Sequence, residues 1–224
     1  MSKLIVKQNQ LDYVGAFSHP AFALYGSGSK LLEGVYAAFA PYHVTLSDIR
    51  EDSTYGRPSE LSLTVSFGIS GILRFKLDRI EFTVYNFTAE DLQVFPQILR
   101  SSDEWLRSAI SNFSWSSHLF RSVSHNGLSE GTSEEYLRGL SSIDIPGIGI
   151  NGGNGVIYHW NLPDQDWLVQ LGIDHSTEVP SGLFINFLLR PAPDRIDYEQ
   201  VTLKGFGLFN RALASIGLET PDNA

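Results

Sequence analysis

The chain has no cysteine among its 224 residues. Disulfides, thiolate nucleophiles and cysteine-bound zinc are therefore excluded. It also lacks an apolar run approaching the roughly 20 residues that a membrane span requires. The stretch Met1-Ser2-Lys3-Leu4-Ile5-Val6-Lys7 has no hydrophobic segment of signal-peptide length, so the cytoplasm is the expected location. Basic residues are scarce, with 16 Lys and Arg against 25 Asp and Glu for a net charge of −9. The deficit is uneven: 10 basic against 12 acidic residues over 1–113 (−2), but 6 against 13 over 114–224 (−7). Such a charge repels nucleic-acid phosphates and anionic membranes, and neither is an expected partner. A basic protein partner suits it, as does a simple need for solubility.

Motifs with fixed spacing are equally thin. The six histidines (His19, His43, His118, His125, His159 and His175) include no pair one helical turn apart, so no metal is expected. Gly147-Ile148-Gly149-Ile150-Asn151-Gly152 has the spacing of a dinucleotide fingerprint. A strand-like run follows it where the fingerprint needs a helix, so no cofactor is expected. Gly26-Ser27-Gly28-Ser29-Lys30 lacks the spacer of a phosphate loop and reads as a turn, with Ser29 capping a helix that carries Leu32, Val35, Tyr36 and Phe39. Asn86-Phe87-Thr88 and Asn112-Phe113-Ser114 are glycosylation sequons that mean little without secretion.

Hydrophobic residues make up 42% and charged residues 18%, which suits a folded core, with a tail at 220–224. The most informative stretch is Val156 to Ile216. Val156, Tyr158, Trp160 and Leu162 alternate with polar or mixed residues, as do Trp167, Val169, Leu171 and Ile173. A turn at Pro163-Asp164-Gln165-Asp166 pairs Leu162 with Trp167, Trp160 with Val169 and Tyr158 with Leu171, an apolar face throughout. Ile185 and Phe187 extend that face from a third strand. A helix follows, with Asp194 and Asp197 near its start and Tyr198, Val201, Gly205, Leu208, Phe209, Ala212 and Ile216 on one side. Leu203 and Phe206 point the other way.

Earlier in the chain the same plan is visible. A long strand over Leu4–Phe17, the Ser29 helix and a strand candidate over His43–Arg50 precede alternating runs at Leu61–Phe67, Leu73–Leu77 and Ile80–Val84. A turn at Asp78-Arg79 sets Leu77 against Ile80, Phe75 against Phe82 and Leu73 against Val84, and brings Lys76 to Glu81. Thr88 and Asp91 form a capping box for a helix that Pro96 and Ser101-Ser102-Asp103-Glu104 are expected to break in two. Trp115–Val123 starts a second round, and Thr132 caps a short helix. The expected fold is therefore α+β. Two similar halves, 1–113 and 114–219, each run strand, helix, antiparallel meander, long helix, and share an antiparallel sheet or core.

Leu73-Arg74-Phe75-Lys76-Leu77-Asp78, followed by Phe82 and an acidic, Trp-containing helix, resembles a sporadically distributed bacterial family. That family pairs a Phe-x-Leu-Asp hairpin with a C-terminal strand and closing helix. Where it ends on Asn-x-x-Phe, this chain has Phe209-Asn210-Arg211. The resemblance spans 61–217 in outline and implies the same fold; the family has no settled activity.

Three functions follow as expectations. The first is a non-enzymatic protein-binding or assembly protein of the bacterial cytosol. It would dock on a protein partner or a second copy through Leu203 and Phe206, with Trp105 as a possible interface anchor. The second is a small-ligand binder or enzyme on the polar sheet face of His159, Gln170, Asp174, Asn186 and Arg190, with His159 and Asp174 as an acid–base pair; a solvated sheet face explains the same residues. The third is an acidic inhibitor of a basic partner.

Overall fold

Alternating apolar residues form ten strands, and amphipathic periods form five α-helices, among the residues that the computed structural model describes: 2–25, 28–52, 61–68, 70–141, 154–162, 164–193 and 196–220. In chain order they begin β1 (Ser2–Phe17), α1 (Phe22–Tyr25), α2 (Gly28–Phe39), β2 (Ile49–Asp52), β3 (Ser62–Phe67), β4 (Gly71–Lys76), β5 (Arg79–Tyr85) and α3 (Ala89–Ala109). There follow β6 (Trp115–Leu128), α4 (Ser133–Leu140), β7 (Val156–Leu162), β8 (Trp167–His175), β9 (Leu183–Arg190), α5 (Tyr198–Ser215) and β10 (Leu218–Glu219). The β2–β3, β3–β4, β4–β5 and β7–β8 ladders are antiparallel, and β10 adds a two-residue parallel contact to β1. The fold is mixed α and β with a large antiparallel sheet, as expected.

The chain divides into two compact units. One comprises Leu11–Phe120 and Arg190–Thr202 and is called here the α3 unit; the other, the α4 unit, comprises Met1–Gln10, Arg121–Leu189 and Leu203–Ala224. Strands β1 and β6 and helix α5 thus give residues to both.

In the α3 unit the strand order is β2-β3-β4-β5, then the second part of β1 and the first part of β6. Leu63, Val65, Leu73, Phe75, Ile80, Phe82 and Val84 are fully buried. Phe82 stacks on Phe95 of α3 at 4.9 Å, and Phe75 meets Trp105 edge-on at 4.9 Å. The capping box at Thr88 forms, with the Asp91 amide donating to Thr88 Oγ1 and the Thr88 amide donating to Asp91 Oδ2. Helix α3 then runs unbroken through Pro96, correcting the expected interruption. An internal proline costs about 3 kcal/mol or more. Burial of Phe95, Ile98, Leu99 and Leu106, at roughly 1.5–3 kcal/mol each, outweighs it. Ser102, expected to belong to a new cap, instead donates to the Ile98 carbonyl within the helix at 2.8 Å.

Three other local expectations are corrected in this unit. Phe75 pairs with Ile80 and Leu73 with Phe82, two residues from the expected register, so the turn falls on Leu77-Asp78. A slip of two keeps every side chain on its face, and the Lys76–Glu81 ion pair still forms at 2.8 Å, diagonally, with Arg74 directly opposite Glu81. The His43–Arg50 strand is replaced by two 3-10 turns, Ala40–Tyr42 and Leu46–Asp48, before β2 begins. There Asp48 accepts from both the amide and the hydroxyl of Thr45 (2.8 and 2.6 Å), local bonds that compete with a strand. Finally α2 starts at Gly28, which places Ser29 inside its first turn. Its buried stripe is Leu31, Val35 and Phe39, while Leu32 and Tyr36 are exposed.

In the α4 unit the order is the first part of β1, the second part of β6, then β9-β8-β7. The β7–β8 hairpin has the expected register: Leu162 faces Trp167, Trp160 faces Val169, Tyr158 faces Leu171 and His159 faces Gln170. Trp167, Val169, Leu171 and Ile173 are buried, as are Leu183, Ile185, Phe187 and Leu189 of β9. Gly205 lets α5 approach closely, since a Cβ there would lie 3.2 Å from Leu189 Cδ2. Phe209 packs on Phe187 at 5.3 Å, and Leu213 is buried as well. Trp160, expected in the core, is 39% exposed because β7 is the last strand in the order and has β8 on one side only. Asp197 caps α5 through the Gln200 amide at 3.0 Å; Asp194 and the Gly147–Gly152 loop lie outside the described residues.

Candidate functional site

The polar face proposed from the sequence is partly assembled. His159 and Gln170 stand opposite each other on the hairpin, and Asn186 of β9 accepts a hydrogen bond from Arg121 Nε at 2.9 Å. Asp174 lies four residues beyond Gln170 on β8, about 13 Å along the strand at 3.3 Å per residue. It packs instead against the Gly155 backbone, where a Cβ would fall 2.8 Å from its Cγ, and it accepts the His175 amide at 2.7 Å. The hairpin therefore holds His159 and Asp174 apart, and they are not an acid–base pair. Arg190, the last residue of β9, is exposed.

Of the interface candidates, Leu203 is 74% exposed, and Phe206 is half-buried with its ring edge-on to Phe209. Trp105 is a correction: it is buried between Phe75 and Gly34, where a Cβ would sit 2.5 Å from its Nε1. The hairpin supplies a stronger apolar surface than the sequence indicated. Ile157 is 62% exposed, Leu168 52% and Trp160 39%, with Tyr158 stacked on Trp160 at 5.8 Å. Among the described residues β7 pairs only with β8, so its outer backbone edge is unmatched.

A buried polar cluster in the α3 unit has no counterpart in the sequence analysis. His118, 1% exposed on β6, bonds Tyr13 Oη through Nδ1 at 2.7 Å and the Pro193 carbonyl through Nε2 at 3.3 Å. A carbonyl only accepts, so Nε2 carries the proton and Nδ1 accepts from the Tyr13 hydroxyl. Burial pushes His118 down to about 4, against weaker upward pulls from the Pro193 carbonyl and Asp103, so the ring is neutral at pH 7. Burial likewise raises Tyr13 and Tyr198 above the usual tyrosine range, with Asp103 adding to both. Asp103 itself accepts from Trp115 Nε1 at 2.7 Å and Arg107 Nε at 2.9 Å. Such a neutral, satisfied histidine locks packing; no side of it is open to a substrate.

Two serine–histidine pairs lie in the α4 unit. His125 Nδ1 is 2.9 Å from Ser176 Oγ, and His175 Nδ1 is 2.9 Å from Ser133 Oγ. Neither serine is a free nucleophile. Ser176 Oγ already accepts the Glu178 and Val179 amides and holds a turn, and Ser133 is buried in the first turn of α4. The α3 unit also has an open cavity of about 810 Å³ floored by Val44, Phe67 and Ile98 and rimmed by His43, Asp48 and Gln97. Among the described residues no cluster of His, Asp and Glu has metal-binding geometry, and no helix is long and apolar enough to cross a membrane. No family model matches the chain, and no curated protein is significantly similar to it.

Proposed function

We propose that this is a non-enzymatic protein-binding or assembly protein that docks through the β7–β8 hairpin edge. The observation that carries this reading is the exposure of Ile157, Trp160 and Leu168 beside a strand edge that is unpaired among the described residues. Exposed apolar side chains next to free backbone donors and acceptors are the two elements of β-strand addition. Leu203 supplies a further exposed apolar side chain on α5. The reading is tested with a photo-cross-linking residue at Ile157 in cells producing the protein. A discrete protein adduct is expected, lost when Trp160→Lys is added and absent for the same probe at the exposed Glu90. No adduct, or one insensitive to Trp160→Lys, overturns it.

The cavity of the α3 unit favours a second reading, a small-ligand binder. Its volume of about 810 Å³ falls in the range of small-ligand sites, with an apolar floor under a polar rim. Filling its wall with Val94→Trp should abolish binding of an apolar fluorescent probe such as anilinonaphthalene sulfonate; unchanged binding removes this reading. The two-half plan belongs to the same proposal. The order strand, helix, meander, long helix recurs from β1 to α3 and from β6 to α5, which supports it. A cytoplasmic setting, and the bacterial family suggested by the Phe75-Lys76-Leu77-Asp78 hairpin, remain part of that proposal.

A further inference from the structure

The two strands that end the sheet order are built differently. Strand β2 has four residues, of which Arg50, Glu51 and Asp52 are charged. Shortness and charge are the usual means of keeping an edge unpaired. Strand β7 has seven residues, Val-Ile-Tyr-His-Trp-Asn-Leu, with no charge, no proline and no glycine. Every one of them is exposed or half-buried. An edge so long, and unpaired among the described residues, is suited to being covered.

We infer that its occupant is a second copy of this chain, the two β7 strands lying antiparallel about a two-fold axis through His159. The inference rests on the docking-edge reading above and names the partner. Full overlap of the seven residues sets Val156 against Leu162, Ile157 against Asn161 and Tyr158 against Trp160 of the other copy, with His159 meeting His159. Tyr158 and Trp160 already stack within one strand, so this register gathers four rings into one cluster, a favourable cross-strand combination. The contact is isologous, each patch complementing itself, and it closes at two copies. Charge points the same way. Two chains of −9 each repel, but the seven residues of the edge carry no formal charge. A basic partner would be drawn to the acidic surface elsewhere, not to this neutral strip. A single seven-residue ladder is a small interface, so dissociation is expected on the order of 10 µM.

The two-fold axis provides the test. In analytical ultracentrifugation at about 100 µM the parent should sediment at twice 24.9 kDa. His159→Lys and His159→Glu, at an exposed position that tolerates either, each set like charges across the axis and should weaken self-association by up to about fivefold. Mixed in equal amounts, the two variants should recover association at least as strong as the parent, with far-UV circular dichroism unchanged throughout. A parent dimer that both variants leave intact overturns the inference, as does failure of the mixture to associate. A monomeric parent that still cross-links to a different protein from position 157 removes the self-pairing and leaves the docking edge standing; a monomer with no adduct removes both.

Discussion

Lowering the pH should destabilise the α3 unit through one side chain, His118. Its folded-state pKa is held down at about 4 by burial, whereas an unfolded histidine titrates near 6.5. Between those values the unfolded chain binds a proton that the folded chain refuses. Stability from this group is therefore complete above pH 6.5 and falls as the pH drops toward 4. The linkage amounts to about 2 kcal/mol lost between pH 7 and 5, and about 3 kcal/mol by pH 4. At a urea dependence of roughly 1–3 kcal/mol per molar, the first figure moves the unfolding midpoint by about 1 M. The assay is urea unfolding at pH 7 and 5, for the parent and for His118→Gln, which cannot titrate. His118→Gln lowers stability at pH 7, but its pH slope should be flatter by about 2 kcal/mol over that interval, the other five histidines cancelling in the comparison. Nitrogen-15 spectra should show His118 protonated on Nε2 only, down to pH 5. Equal slopes, or a ring that titrates near 6.5, would refute a neutral histidine tied to Tyr13 and Pro193.

Other perturbations follow from the same contacts. Tyr13→Phe strands His118 Nδ1 without its donor and should cost about 1–3 kcal/mol, read by thermal or urea unfolding. Gly15→Ala would place a Cβ 2.5 Å from Tyr13 Oη and 2.6 Å from Trp115 Cζ3. Because both rings are buried, it should destabilise by roughly 1–3 kcal/mol. Gly205→Ala meets only the flexible end of Leu189 at 3.2 Å, and a gain of about 1 kcal/mol in helix propensity should leave it near neutral. Equal costs for the two glycines would contradict this account of their packing. Thr88→Ala removes the cap of α3 and should lower stability by about 1 kcal/mol.

Legibility in the sequence tracked the range of the interactions involved. The β7–β8 register was readable because alternation and a four-residue turn allow one pairing in which all facing residues are apolar. At β4–β5 the periodicity is blind to a slip of two, which preserves every face, and Leu77-Asp78 carries no stronger turn signal than Asp78-Arg79. Parity identified the face of Trp160 but not how far the cover over that face extends. The Pro96 and Thr45 regions failed in opposite directions: at Pro96 a local rule yielded to tertiary packing, while at Thr45 a local capping bond prevailed over strand propensity. The His118 cluster gathers residues at positions 13, 103, 115, 193 and 198, and the cavity joins 3-10 turns to α3. Neither leaves a trace in any window short enough to read. His159 and Asp174 share a face, but the register already legible in the sequence pairs His159 with Gln170 and leaves Asp174 four residues further along the strand.

The carbonyl that completes the shell of His118 belongs to Pro193, 75 residues further along the chain. At about 5–20 residues per second on the ribosome, that partner emerges some 4–15 s after the ring it serves. Since the α3 unit also takes in Arg190–Thr202, it is finished only after the whole of β7, β8 and β9 has been made. Until then the nascent chain exposes the His118 imidazole and the Tyr13 phenol, both hidden in the native state, a window in which a chaperone has something to hold.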